Sequence, residues 1–247
     1  MKQSRLSMEV FILILVTFVH LSSFIAASDY TSLVYKGCGQ QTYMDSSNAY
    51  TQTLSSLFDS LISQSSNTKF FQTTDQQTSF SALYQCRGDL NNGDCHNCVS
   101  KLPQTLNNLC GKTTSGRLQL LGCYILFEPF NSPEVPGSEM VYKTCSPMQA
   151  VENGFEERRD TAFAALERGI VSGYGFYTAS YQSVYVLGQC EGDLGIVDCG
   201  ECMKIAVQKA QVECGKEIQS LVRFIYTSVL SVLITLRAGF FEGLLQY

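Results

Sequence analysis

Residues 85–98 read Q-C-R-G-D-L-N-N-G-D-C-H-N-C, and residues 189–202 read Q-C-E-G-D-L-G-I-V-D-C-G-E-C. Both segments fit the pattern Q-C-x-G-D-L-x3-D-C-x2-C, and the second copy follows the first by 104 residues (190 minus 86). Three cysteines, a Gly-Asp-Leu triplet and a second Asp recur at one spacing, which indicates an internal duplication. Because the period is so long, we predict two similar domains rather than a solenoid of small repeats.

The remaining cysteines extend the repeat on both sides of each copy. The first repeat holds Cys38, Cys86, Cys95, Cys98, Cys110 and Cys123, and the second holds Cys145, Cys190, Cys199, Cys202 and Cys214. The last interval of the first repeat is 13 residues (123 minus 110), which puts the missing sixth cysteine of the second repeat at Thr227. The odd total of 11 cysteines follows from this single loss.

The N-terminus predicts a cleaved secretory signal over residues 1–27. Lys2 and Arg5 precede the apolar run 10–19, and small residues at 26–28 suit cleavage. The apolar run is too short for a comfortable membrane span. The mature chain is therefore expected in an oxidising compartment, where cysteines form disulfides. A net charge of −5 provides no basic surface for nucleic acid or anionic lipid.

Helices and strands are both indicated in each repeat, so the predicted fold class is α+β. A helical face is formed by Tyr50, Leu54, Leu57, Phe58, Leu61 and Ile62. Segments 80–85 and 183–189 are predicted strands, and 95–110 is a predicted helix that Pro103 kinks. Residues 117–128 are predicted as one long strand, and 133–139, with two prolines and a glycine, as the linker.

The C-terminal stretch 216–247 departs from the first repeat. Between Arg223 and Arg237 lie 13 uncharged, mostly apolar residues, whereas a helical bilayer span needs about 20. Three interpretations stay open: a membrane-associated segment, a substitute strand or helix that covers the second domain, and a poorly folded tail.

The duplicated framework resembles plant cysteine-rich secretory domains of the ginkbilobin (stress-antifungal) type. Further strings resemble the plasmodesmata-located protein family: DYTSLVYKGC (29–38), CHNCVSKLP (95–103), GFEERRDTAF (154–163), YVLGQCEGD (185–193) and KAQVEC (209–214). The resemblance covers residues 28–215 and implies two tandem domains, each with two helices packed on a five-stranded antiparallel sheet. Members are type I membrane proteins that modulate trafficking between plant cells, partly by promoting callose deposition.

The resemblance also implies a disulfide pairing of first to fifth, second to third and fourth to sixth cysteine. The implied bonds are Cys38–Cys110, Cys86–Cys95, Cys98–Cys123, Cys145–Cys214 and Cys190–Cys199, with Cys202 unpaired. The domains are then expected at 28–132 and 140–215. The second is expected to be incomplete, because its sixth cysteine, last strand and following transmembrane helix are not recognisable. Loss of one disulfide destabilises a small domain by roughly 2–5 kcal/mol.

The sequence gives little indication of a metal site, a cofactor or a catalytic site. The Cys-x-x-Cys pairs belong to the disulfide framework and only two histidines exist, so neither a metal site nor a cofactor is expected. His96 is expected to face solvent. The Gly-Asp-Leu triplets are expected to form tight loops, with Gly for the turn and Asp bonded to nearby backbone.

A sugar site is the alternative chemistry. The stress-antifungal type binds mannose through an Asn, an Arg and a Glu whose positions correspond here to Gly39, Arg117 and Glu128. Gly39 lacks the amide, and an Arg–Glu ion pair across neighbouring strands explains the other two without a ligand. In the second domain the Arg position is predicted at Leu221.

Two functions are therefore predicted, and neither is enzymatic. The first is an extracellular module at plasmodesmata, anchored at the plasma membrane, whose partners are other plasmodesmal or receptor-like membrane proteins or a second copy. The second is a secreted lectin-like defence protein of the apoplast that binds cell-wall carbohydrate. No nucleic-acid partner is expected.

Overall fold

The computed structural model describes residues 30–42, 48–130, 132, 139–145, 153–214, 222–226 and 229–235, the last two as backbone. The first domain contains β1 (Leu33–Cys38), α1 (Ala49–Gln64), β2 (Phe70–Asp75), β3 (Phe80–Cys86), α2 (Asn92–Val99), α3 (Leu102–Cys110), β4 (Gly116–Leu120) and β5 (Cys123–Pro129). The strands form an antiparallel sheet in the order β1-β4-β5-β3-β2.

The second domain repeats this architecture. It contains β6 (Met140–Thr144), α4 (Phe155–Ser172), β7 (Phe176–Tyr181), β8 (Val184–Cys190), α5 (Ile196–Glu213), β9 (Val222–Tyr226) and β10 (Val229–Thr235). Its sheet has the matching order β6-β9-β10-β8-β7 and is also antiparallel. The predicted α+β class with two tandem domains is confirmed.

One helix packs its apolar stripe on each sheet, as the sequence predicts. In α1 the stripe includes Leu57 and Leu61, which are buried against the first core. In α4 the corresponding residues are Phe163, Leu166 and Ile170. Asn48 precedes α1 in a left-handed conformation, and its side chain makes no cap hydrogen bond. Ser46 and Ser47, whose hydroxyl groups are suited to capping a helix, lie outside the described residues.

The predicted kink at Pro103 is a complete break. α2 ends at Val99, and α3 restarts at Leu102 with Pro103 in its first turn. A proline is well tolerated there, because the backbone N–H that it lacks has no partner inside the helix. The second domain has no proline in this segment, and α5 runs through without interruption.

The prediction of one long strand over 117–128 is wrong, because the segment folds into the hairpin β4–β5. β4 is buried along its whole length and most of β5 is buried. Residues 120–127, which span the turn, contain no charged or amide side chain, so the sequence does not mark the reversal. The reversal includes Gly122, where a Cβ atom would lie 2.7 Å from the Cβ of Tyr30.

The expectation that the second domain lacks its last strand is corrected by β9 and β10. Both pair within the second sheet, which extends the second domain from the expected boundary at 215 to Thr235. Val229 lies opposite Cys190 as Cys123 lies opposite Cys86, so the sixth-cysteine position is Val229 rather than Thr227. Arg223 lies opposite Thr144 as Arg117 lies opposite Gly37, so Arg223 rather than Leu221 takes the Arg117 position.

These two strands answer one of the questions that the sequence left open. The described part of the C-terminal stretch forms two strands that complete the second sheet. Of the three interpretations, this agrees with a substitute strand. What remains incomplete in the second domain is its third disulfide. Among the described residues, no helix is long and apolar enough to cross a membrane.

Five disulfides hold the two domains, and they are the pairs that the family resemblance implies. They are Cys38–Cys110, Cys86–Cys95, Cys98–Cys123, Cys145–Cys214 and Cys190–Cys199. Cys202 carries a free thiol on α5 and is partly buried against the second core. Burial, followed by the negative charges of Asp198 and Glu201, raises the pKa of this thiol, which keeps it protonated and unreactive near neutral pH.

Restoring the missing cysteine tests the register of β10. Val229→Cys should form a disulfide with Cys202 and stabilise the chain by about 2–4 kcal/mol, because the bond closes a loop in the unfolded state. Titration under denaturing conditions should find one free thiol in the wild type and none in the variant, with a higher Tm. Val229→Ala is the control. Two free thiols in the Val229→Cys chain would contradict the register.

Candidate functional site

The two copies of the Q-C-x-G-D-L motif meet at the boundary between the domains. The Gln85 side-chain amide donates to the carbonyl oxygen of Cys190, 3.1 Å away. The Gln189 amide donates to the carbonyl oxygen of Cys86, 3.0 Å away. Each glutamine is buried and binds the backbone of the other domain's motif.

The same glutamines also accept hydrogen bonds across the boundary. The backbone N–H of Gly192 donates to Gln85 Oε1 at 2.9 Å, and that of Gly88 donates to Gln189 Oε1 at 3.2 Å. Two side chains thus make four reciprocal hydrogen bonds. Truncating either glutamine would leave a buried carbonyl oxygen, that of Cys190 or of Cys86, without its partner, which costs about 1–3 kcal/mol.

The glycines of the motif permit close approach of the other domain. A Cβ atom on Gly88 would lie 2.4 Å from Cγ of Phe176, and a Cβ atom on Gly192 would lie 2.4 Å from Cγ of Phe70. Each triplet forms the predicted tight turn, closed by a hydrogen bond from the N–H of Leu90 to the Arg87 carbonyl oxygen and from the N–H of Leu194 to the Glu191 carbonyl oxygen. Neither glycine has positive φ, so the turn itself does not require glycine there. The absence of a side chain on each glycine lets an aromatic ring of the other domain pack directly against it.

A third contact lies between equivalent strands. The rings of Tyr35 on β1 and Tyr142 on β6 have centroids 5.5 Å apart. Each tyrosine precedes the first cysteine of its domain by three residues, so the two tyrosines occupy equivalent positions in the two repeats. The glutamine, glycine–phenylalanine and tyrosine contacts together relate the domains by a pseudo-two-fold axis. We call this boundary the interdomain seam.

The seam also contains a charged cluster that is not symmetric. The Tyr124 hydroxyl, on β5 of the first domain, donates to the carboxylate of Glu191 in the second. The Arg117 guanidinium lies over the Tyr124 ring, 5.0 Å from its centroid. Tyr124 is completely buried and Arg117 is 9% exposed, so the cluster is largely withdrawn from water.

Burial has the largest effect on the pKa values of the titratable groups in this cluster. It raises the pKa of Glu191 to about 7, although the Tyr124 hydrogen bond and the Arg117 charge both act in the opposite direction. Burial also raises the pKa of Tyr124 well above its usual value, and the negative charge of Glu191 adds to that shift. Burial raises the pKa of Glu128, which Arg117 partly offsets.

The motif position that carries Glu191 is occupied by Arg87 in the first domain, and Arg87 makes different contacts. Its guanidinium donates to both carboxylate oxygens of Asp89 and lies over the Tyr30 ring, within its own domain. The predicted bond of Asp89 to nearby backbone is therefore replaced by this ion pair. Ser231, which lies opposite Gln189 as Tyr124 lies opposite Gln85, cannot supply an equivalent phenol.

The predicted sugar residues are only partly assembled. Arg117 and Glu128 are close enough for the Arg117 charge to lower the pKa of Glu128, and both belong to the cluster beside the seam. Gly39 lies at the end of β1, where its N–H donates to the Ser115 carbonyl oxygen and a Cβ atom would meet Ser115 Oγ at 2.3 Å. A ligand could reach the Arg117 guanidinium only through the small exposed fraction of that residue.

The prediction that His96 faces solvent is wrong. Its Nδ1 lies 3.0 Å from Ser65 Oγ and 3.2 Å from the Ile62 carbonyl oxygen, at the C-terminal end of α1. The side chain therefore joins α2 to α1. In the described part of the chain, no group of three or more His, Cys, Asp or Glu side chains is placed to hold a metal ion.

An apolar corner in the second domain lies beside the seam. It consists of Val171, Tyr174, Ile196 and Val197, with Tyr174 93% and Val197 73% exposed. Tyr174 and Ile196 line a cleft of about 350 Å³ that also contains Gly88 and Glu191.

The duplication provides an internal comparison for this corner. The motif spacing aligns Ile196 and Val197 with the polar Asn92 and the small Gly93 of the first domain. Gly200 takes the place of His96, and it packs beside Val171 without covering it. The apolar corner is thus a property of the second domain alone.

The fold and the seam define a tandem cysteine-rich ectodomain, and comparisons with known proteins agree. Residues 37–129 and 144–229 match the salt stress response/antifungal (Stress-antifung) domain family. The structure resembles the tandem DUF26 ectodomain of the Arabidopsis thaliana receptor-like protein PDLP8, with a TM-score of 0.74 and 25% identity over 83% of this chain and 98% of that one. For the PDLP5 ectodomain the TM-score is 0.72 at 22% identity, covering 83% of this chain and 99% of that one.

The relatives in sequence narrow the class. The chain is 53% identical to plasmodesmata-located protein 2 of Arabidopsis thaliana over 195 residues, which cover 78% of this chain and 64% of that protein. It is 40% identical to plasmodesmata-located protein 1 of the same plant over 205 residues, which cover 76% of this chain and 68% of that protein. The chain belongs to the plasmodesmata-located protein family. It spans about two thirds of the length of these relatives.

A glycine of the seam is the sharpest test of how the domains are held. Gly88→Ala should destabilise the chain by about 1–3 kcal/mol, because the added methyl group overlaps the Phe176 ring. Thermal unfolding followed by calorimetry should show a lower Tm. In a chain that already carries Phe176→Ala, the Gly88→Ala substitution should lower the Tm less than it does in the wild type, because the ring that the methyl group overlaps is gone.

The matched control is Gly93→Ala in the same domain, where the nearest atom to the added methyl group is Asn91 Oδ1 at 3.2 Å. Gly93 lies in α2, where alanine has the higher helix propensity. Equal destabilisation by the two substitutions would contradict a specific role of Gly88 at the seam.

Proposed function

We propose that this protein is a non-enzymatic extracellular module that acts at plasmodesmata and modulates the movement of molecules between plant cells. The observation that supports the proposal is its 53% identity to plasmodesmata-located protein 2, over an alignment of 195 residues. The seam supports it as well, because two domains joined by buried reciprocal hydrogen bonds present one fixed surface to a partner.

The proposed location follows the family and the predicted secretory signal, which lies outside the described residues. The mature chain would lie on the extracellular face of the plasma membrane at plasmodesmata if it is anchored, and in the apoplast if it is not. Promotion of callose deposition is the proposed route by which it restricts movement. Partners would be other plasmodesmal or receptor-like membrane proteins, or a second copy.

The apolar corner is the surface that we assign to a protein partner. Tyr174 and Val197 expose large apolar area, and the corner is continuous with the cleft at the seam. Asp193, Asp198 and Glu201 are exposed on the same loop and helix. A segment with apolar side chains flanked by lysine or arginine would therefore match the corner in both hydrophobicity and charge.

The alternative function is a secreted lectin-like defence protein that binds cell-wall carbohydrate through Arg117 and Glu128. The approach of these two residues favours it, and the burial of Arg117 opposes it. Binding to a glycan array that is lost in Glu128→Gln, with unchanged thermal unfolding, would support this alternative.

Expression of the tagged full chain in leaf epidermis tests the proposal. The chain should concentrate at points along shared cell walls, and a mobile fluorescent protein should reach fewer neighbouring cells than in tissue that expresses the tag alone. Tyr174→Ser combined with Val197→Ser should weaken both effects, because the exposed apolar contact is lost.

The matched control for the corner is Val212→Ser. Val212 is 82% exposed on α5, the helix that also carries Val197. It lies about 22 Å further along that helix at the usual rise per residue. A uniform distribution of the wild-type chain, with unchanged spread of the fluorescent protein, would overturn the proposed function. Equal effects of the corner and control variants would overturn only the assignment of the corner.

A further inference from the structure

An asymmetric contact of the seam joins two titratable groups. The Tyr124 hydroxyl belongs to the first domain and the Glu191 carboxyl to the second, and they are hydrogen-bonded across the boundary. The backbone of the next residue, Gly192, is bonded to Gln85. A change in the charge of Glu191 therefore acts beside the reciprocal hydrogen bonds that hold the domains together.

The surroundings of Glu191 disfavour its charged form. Tyr124 is completely buried, and Glu191 is partly buried in the cleft between the domains, so ionisation places a negative charge where water solvates it poorly. Opening of the seam would return the carboxylate to water. The ionised form thus favours separated domains, and the neutral form favours closed domains.

We propose that the Glu191 carboxyl, enclosed between the domains beside Tyr124, is a proton-operated latch: the seam is closed while Glu191 holds its proton and is weakened when the carboxyl ionises.

The charged and titratable groups around Glu191 come from several elements. Arg117 on β4 and the Tyr124 hydroxyl on β5 favour the ionised carboxyl. Glu128 on β5 and Asp193 in the loop of Glu191 itself oppose it, and burial outweighs all of these. Lys69, at the edge of the same cleft, donates its ammonium hydrogen bond to the Gly88 carbonyl oxygen in the first domain.

The direction of the pH effect follows from a pKa that is raised to about 7 in the closed state. A separated state with an ordinary carboxyl loses its proton near pH 4.5, so the closed state retains a proton that the open state releases. The stabilisation of the closed seam is complete below about pH 4.5 and is lost as the pH rises to about 7.

Amide hydrogen exchange of the full chain measures the latch directly. The N–H groups of Gly88 and Gly192 donate across the seam, whereas the N–H of Leu121 donates to the Ser32 carbonyl oxygen within the first domain. After correction for intrinsic exchange, protection of the two seam amides should fall on the order of 10- to 100-fold between pH 5 and pH 8. Protection of Leu121 should remain constant.

Three variants separate the latch from a general effect of pH. Glu191→Gln stays neutral, so the seam amides should keep constant protection over this range. Tyr124→Phe removes the hydroxyl that favours the ionised carboxyl, so the loss of protection should move to higher pH. Glu157→Gln, on the exposed face of α4, should behave as the wild type.

The wild-type series alone can overturn the proposal. Constant or rising protection of Gly88 and Gly192 between pH 5 and pH 8 would do so, and so would an unchanged fall in a folded Glu191→Gln chain. Folding of that variant is checked by the protection of Leu121 and by the titration of a single free thiol.

Discussion

The backbone between the second and third cysteines of each domain is held from two sides, and the rest of the architecture depends on that constraint. Within each domain a disulfide closes the segment, Cys86–Cys95 in the first and Cys190–Cys199 in the second. From the other domain a buried glutamine bonds the same segment. Because the covalent link fixes the shape of the loop, the glutamine meets a preorganised pair of backbone groups and loses little entropy in binding them.

Departures from symmetry show where the two halves have separate tasks. Glu191 reaches across the seam to Tyr124, whereas Arg87 at the same motif position stays within its own domain. Val229 replaces the sixth cysteine, and Gly200 replaces His96. Of these residues Glu191 lines the cleft, and the seam glutamines and glycines are the same in both copies.

The sequence predicts features that are repeated or periodic, and it misses features that depend on distant partners. The cysteine spacing and the stripe of α1 predict the two domains and their helices. The β4–β5 hairpin is missed because both strands are largely buried and no charged or amide side chain from residue 120 to residue 127 marks the turn. The seam is missed because Gln85 and the residue that it bonds, Cys190, are separated by 105 residues. One available signal is the recurrence of Gln and Gly beside the cysteines, since a disulfide framework alone does not require those residue types.

The pseudo-two-fold axis of the seam has an evolutionary consequence. A contact in which each half offers the same residues to the other is what two identical chains make in a symmetric dimer. In such a dimer every substitution appears twice, so an acid placed at the contact would appear on both sides of the axis. Fusion of the two copies into one polypeptide removes that restriction. The carboxyl at position 191, present on one side of the axis, is therefore an asymmetry that a dimer of identical chains cannot have and a covalently joined pair can.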